Sequence, residues 1–143
     1  MKKIILFVVV SVSAFASSFV EVESKYNTEI TVKKISALIE GKKGFSIFTV
    51  IDHQKNAYNA GMKLPFQKVI VFGNPHAGTK LMQSDTLVGY ELPMKIMVYK
   101  KDEKVIVVYR KPEYFAENYA LKDSPILPKM KKAMNYFISS IKK

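Results

Sequence analysis

Apolar and polar residues alternate from Phe19 to Ser24 (Phe-Val-Glu-Val-Glu-Ser), the pattern of a strand with one buried face. The period then lengthens. From Thr28 to about Glu40, Val32, Ile35, Leu38 and Ile39 fall on one stripe of a helix that Asn27 or Thr28 can cap and Gly41 or Gly44 can stop. Phe45 to Ile51 is rich in β-branched and aromatic residues and predicts a second strand. Asp52 can cap a short helix running to about Ala60, with Gly61 at its end. Lys68 to Phe72 predicts a third strand, buried on both faces. In Gly73-Asn74-Pro75, Asn74 can cap and Pro75 can open a helix reaching about Gln83.

Met94 to Tyr99 alternates and Val105 to Tyr109 is almost continuously apolar, so the polar run Lys100 to Lys104 between them predicts a hairpin. Pro112 to Ala120 reads as a short helix. Ser124 and Pro125 start a longer one, in which Met130, Ala133, Met134, Phe137, Ile138 and Ile141 recur at helical spacing. This stripe predicts packing on a sheet. Lys129, Lys131, Lys132, Lys142 and Lys143 crowd the opposite side, so a helix lying on an anionic membrane surface is the rival reading.

The N-terminus changes the picture of where this fold works. Lys2 and Lys3 precede an apolar run from Ile4 to Val12, and Ala14-Phe15-Ala16 fits the small-x-small cleavage rule of an export signal. That run is too short to cross a bilayer core, which needs about twenty apolar residues. The expected organisation is a signal peptide over residues 1–16 and one domain over residues 17–143, placed in the periplasm or secreted. With no cysteine, neither lipid attachment through a lipobox nor a disulfide is available. Loss of the signal takes Lys plus Arg from 23 to 21 against 12 acids, a net charge of +9. A basic balance suits nucleic acid, an anionic membrane or simple solubility. Export argues against nucleic acid, and so does the presence of a single arginine, Arg110, since phosphate recognition favours the guanidinium fork. The expectation is a solvated lysine surface, with weak anionic membrane contact as the lesser possibility.

Ile51-Asp52-His53, Phe72-Gly73-Asn74-Pro75, Ala77-Gly78-Thr79 with Leu81-Met82, and Leu92-Pro93 form a more specific signature. On these strings, from about Tyr26 to Leu121, the chain resembles the domain of unknown function 302 family. The resemblance implies an α+β domain of the β-α-β4-α type, TBP-like, with a curved antiparallel sheet carrying helices on one face and a homodimeric assembly. It implies no reaction. His76 stands where the family often has a basic residue, and the extra short helices fall in family loops.

Candidate chemistry must therefore come from residue types. Polar residues cluster at two strand-to-helix junctions, Asp52-His53 and Asn74, His76 and Thr79. A helix starting at Pro75 could hold a carboxylate or phosphate with help from His76 or Lys80. Capping by Asn74, with Gly78 allowing close packing on the sheet, explains the same residues without a ligand, and is favoured. His53 could act as a base or metal ligand with Asp52 beside it, and His76 could add a second nitrogen if the junctions adjoin. A ring bonded to a backbone carbonyl is the favoured role for His53. No metal and no cofactor is expected, because zinc wants three or four ligands and no such spacing occurs. Seven methionines and eight tyrosines suit either a core or an adaptable pocket. The sequence thus points to an exported, non-catalytic module that binds a small anionic or apolar ligand, or a partner, as a homodimer. The alternative is an enzyme whose site joins the two junctions.

Overall fold

The structure is a computed structural model that describes residues 17–142, so the expected signal peptide lies outside the described residues. In chain order it contains β1 (Phe19–Glu23), α1 (Thr28–Glu40), β2 (Ser46–Asp52), α2 (His53–Asn59), β3 (Gln67–Gly73) and α3 (Pro75–Ser84). A 3-10 turn (Thr86–Tyr90) leads to β4 (Met94–Lys101), β5 (Lys104–Arg110), α4 (Pro112–Asn118) and α5 (Ile126–Ser139). The five strands form one antiparallel sheet in the order β1-β5-β4-β3-β2, so α1 carries the chain from one sheet edge to the other.

Residues paired across an antiparallel sheet share a face. One face carries the rows Val20, Tyr109, Ile96, Ile70 and Val22, Val107, Val98, together with Phe72 and Met94. These meet Ile35 and Ile39 of α1 and Ala133, Met134, Phe137 and Ile138 of α5 in one apolar core. The opposite face carries Glu21, Val108, Met97, Val69 and Ile51 in one row, and none of them belongs to that core. β3 lies between β4 and β2; Ile70, Val71 and Phe72 are buried, whereas Lys68 and Val69, expected to share that burial, are only half-buried because the strand's first pairs lie toward the sheet end.

The α1 stripe is buried through Ile35 and Ile39, but Thr31 is also fully buried. Its hydroxyl donates to the Asn27 carbonyl at 2.7 Å and lies 2.7 Å from the Ser24 hydroxyl, which answers the burial cost of two polar groups. Of the predicted α5 stripe, Ala133, Met134, Phe137 and Ile138 are buried, with Leu127 added at the start; Met130 is half-buried and Ile141 is buried just beyond the helix end. Its apolar side is thus occupied by the protein's own core, leaving little of it for a membrane surface.

The Lys100 to Lys104 run forms the expected hairpin: Lys101 pairs with Lys104, and the turn is two residues, Asp102 and Glu103, at φ 48° and 62°. Two positive φ values match the right-handed twist of a tight hairpin, so register outweighs the preference for glycine there. The 3-10 turn was not anticipated. Asp85 organises it, accepting from the Leu87 N–H and the Ala120 N–H, each at 2.9 Å, and so ties the turn to the link between α4 and α5.

Candidate functional site

Successive strands of an antiparallel pair leave the sheet at opposite ends. In the β2–β3 register Ser46 faces Gly73 and Asp52 faces Lys68. The Asp52-His53 junction and the Asn74-to-Thr79 junction are therefore separated by the length of β2, seven residues, or about 20 Å. The alternative of an enzyme site joining them is ruled out, and His53 and His76 cannot share a metal ion. Among the described residues there is no cluster of three or more metal-ligating side chains.

At the first end, Asp52 caps α2 by accepting the Lys55 N–H at 2.8 Å, and its other oxygen lies 3.4 Å from the Lys68 ammonium. The backbone bond from Lys55, aided by the Lys68 charge, holds the Asp52 carboxyl below its ordinary value. Lys68 also bonds Glu29 at 3.1 Å. Desolvation works against its charge, but Glu29 and Asp52 outweigh it and raise the Lys68 pKa. His53 is the first residue of α2, a helix with no buried residue. The expected bond from its ring to a carbonyl is absent among the described residues, because so exposed a helix holds no carbonyl over the ring. What remains is a polar surface on which Asp52 and Lys68 already answer one another.

At the second end, Asn74 accepts the Ala77 N–H at 3.1 Å through its side chain and the Gly78 N–H at 2.9 Å through its carbonyl. Pro75 has no N–H, so the first turn of α3 is largely satisfied by the chain itself. Capping is the role of Asn74. Gly44 supports it: φ is +85°, and a Cβ at this position would come within 2.8 Å of the Asn74 amide nitrogen. Gly78 is less constrained than expected, since an added Cβ would meet Leu92 at an ordinary 3.8 Å.

Beside this cap the structure opens a cleft of about 770 Å³ between α3 and α5, over the end of the sheet. Its lining includes Phe45, Phe72 and Phe137, with Phe137 edge-to-face against the other two at ring distances of 5.2 and 5.5 Å. Leu81, Met82, Met130, Met134 and Leu92-Pro93 add further apolar lining. His76, Thr79, Lys42, Lys80, Lys129 and Lys132 supply polar groups, and no aspartate or glutamate takes part. Of the five candidate residues, the cleft gathers Asn74, His76 and Thr79 and leaves out Asp52 and His53. Sequence reasoning missed the α5 contribution, because Lys129 and Lys132 look like any solvated helix face until α3 lies opposite them. Four of the seven methionines, Met82, Met94, Met130 and Met134, line this one cleft.

A second polar cluster was also missed. Glu91 accepts from Arg110 at 3.3 Å and from the Tyr114 and Tyr119 hydroxyls at 3.4 Å each, and Arg110 lies between the Phe19 and Tyr114 rings. The one arginine is thus tied into the fold.

A family model described as "Domain of unknown function DUF302" matches residues 20–137. Two curated relatives are named "Fluoride-specific ion channel FluC 1", one from Brucella suis biovar 1 and one from Brucella abortus biovar 1. Each is 33% identical over 110 residues, covering 76% of this chain and 43% and 40% of the respective relative. This chain therefore spans about two-fifths of the length of those proteins. Among solved structures, an uncharacterized conserved DUF302 protein from Bacillus stearothermophilus has the same fold, with a TM-score of 0.75 and 17% identity, covering 89% of this chain and all of its own.

Proposed function

Since the chain belongs to the family of the domain of unknown function DUF302, a description that assigns no reaction, we propose that it is an exported envelope protein whose work is non-catalytic binding of a small ligand in the α3–α5 cleft. The observation that carries this reading is the cleft itself: its volume lies in the ordinary range for ligand sites, and its mostly apolar lining is accompanied by a few polar groups. Export rests on the N-terminal pattern of Lys2, Lys3, the apolar run and Ala14-Phe15-Ala16.

The relatives' name suggests a setting rather than an activity. A channel needs segments that cross a membrane, and no described helix is long and apolar enough to do so. In this reading the chain corresponds to the part of those proteins that accompanies the pore. The homodimer belongs to the same proposal and is supported by the sheet face opposite the core, where Ile51, Val69, Met97 and Val108 make an apolar row outside the core cluster and Glu21 and Lys95 add opposite charges.

Native mass spectrometry of the protein isolated from its own envelope fraction tests all three parts. The expected result is a dimer beginning at Ser17 that carries a small molecule, and the Met82→Glu variant, which places a charge on the cleft wall, should lose that molecule. A chain still beginning at Met1 would overturn export, and an added mass that Met82→Glu leaves in place would overturn the cleft as its site. Met97→Lys should give monomer with the ligand retained.

A further inference from the structure

Resting on the cleft as the ligand site, we infer that its ligand is a straight-chain aliphatic anion, with the alkyl chain along the apolar walls and the anionic head at the lysines. Three observations bear on the class. One part of the wall is aromatic, built by Phe45, Phe72 and Phe137 in edge-to-face contact. The walls are rich in methionine, whose unbranched thioether adapts to a flexible chain better than to one rigid shape. The charge is one-sided: Lys42, Lys80, Lys129 and Lys132 line the cleft and no carboxylate does.

Some lysines of this basic chain are matched to acids, as Lys68 is to Glu29 and Asp52 and Lys131 to Glu113, but among the described residues none of the four cleft lysines forms an ion pair. Lys42 lies over the Tyr136 ring at 5.3 Å, a contact that leaves its positive charge in place. A cleft with one sign of charge at an apolar wall raises the local concentration of an anion and also rewards an apolar body attached to it. A small inorganic anion would leave the apolar walls wet, and an uncharged hydrocarbon would leave the lysines unanswered. The single-chain amphiphile satisfies both.

Isothermal titration with straight-chain carboxylates from octanoate to tetradecanoate, kept below their micelle-forming concentrations, tests this against the primary alcohols of equal length. Each added methylene should tighten carboxylate binding about fourfold until the cleft is full. The matched alcohol should bind about tenfold more weakly, and only the carboxylate should weaken with salt. Joint replacement Lys129→Gln and Lys132→Gln should bring the carboxylate close to the alcohol, while Met82→Glu should abolish both, with the circular dichroism spectrum unchanged. If alcohol and carboxylate bind equally, the anionic class is overturned and the cleft stands as an apolar site. If neither binds, the aliphatic-anion class is overturned, while the cleft reading stands or falls separately on whether the molecule seen by native mass spectrometry is lost in Met82→Glu. Carboxylate binding that ignores chain length and survives Met82→Glu would mark only a lysine surface and overturn the inference.

Discussion

β3 has a strand-to-helix junction on each of its two sides, and their contrast shows how much depends on what lies above a motif. Asp52 and Asn74 both end a strand, and both cap a helix through a side-chain oxygen. At the Asp52 end the helix has seven residues, buries none, and its cap is matched to Lys68. At the Asn74 end the helix has ten residues, buries Leu81, and faces α5 across an apolar cleft with unmatched lysines. The same local chemistry gives a plain cap at one end and a candidate ligand site at the other. Cover by a second helix makes the difference.

The largest test of this contrast is removal of the cleft's aromatic wall. Phe137 is 0% exposed and packs edge-to-face on Phe45 and Phe72, so Phe137→Ala should lower unfolding free energy by about 3–5 kcal/mol in urea titration. Tyr58 at the other end is 79% exposed, and Tyr58→Ala should stay within about 0.5 kcal/mol. Equal effects would erase the distinction between the ends.

Glycines sharpen it next. Gly44 and Gly61 both have positive φ, but an added Cβ meets Asn74 at the first and open space at the second. Gly61→Ala should cost about 1 kcal/mol from backbone strain alone, and Gly44→Ala about 2–3 kcal/mol, with the excess reduced in an Asn74→Ala background. Additive effects in the double variant would deny the contact between Gly44 and Asn74.

The caps themselves come third. Asn74→Ala and Asp52→Ala should each cost about 1 kcal/mol, since each leaves one helix N–H without its acceptor. Smallest is the response to acid. The Asp52 carboxyl sits below its ordinary 3.8 when folded, so its contribution is present above that value and is lost as pH falls through the lower folded value. Asp52→Asn should flatten the acid limb of the stability curve slightly, and Asn74→Asp should steepen it. Curves that overlay the parent would separate these caps from acid stability.

Much of the fold was legible because it depends on neighbours in the chain. The α1 limits, the α5 stripe and the caps Asn27, Asp52 and Asn74 follow from periodicity and from side chains reaching N–H groups two or three residues away. The β4–β5 hairpin was legible, but its two-residue turn at Asp102 and Glu103 was not, because strand register rather than residue preference set its length. The burial of Thr31 was hidden for a related reason: its partner Ser24 lies on another element. Candidate site residues divided the same way. Asn74, His76 and Thr79 were visible as a junction, whereas Lys129, Lys132 and Met130 became part of a cleft only through packing.

By itself, then, the sequence determined the helices and strands, the caps, the basic balance and the family signature, all of which rest on local chemistry or on strings of adjacent residues. Tertiary structure alone decided that β2 and β3 run antiparallel, which sends Asp52-His53 and Asn74-to-Thr79 to opposite ends of the sheet. It also decided that α5 lies across from α3. A cleft is a relation between surfaces far apart in the chain, and its shape and charge exist only once the core has set the distance between them.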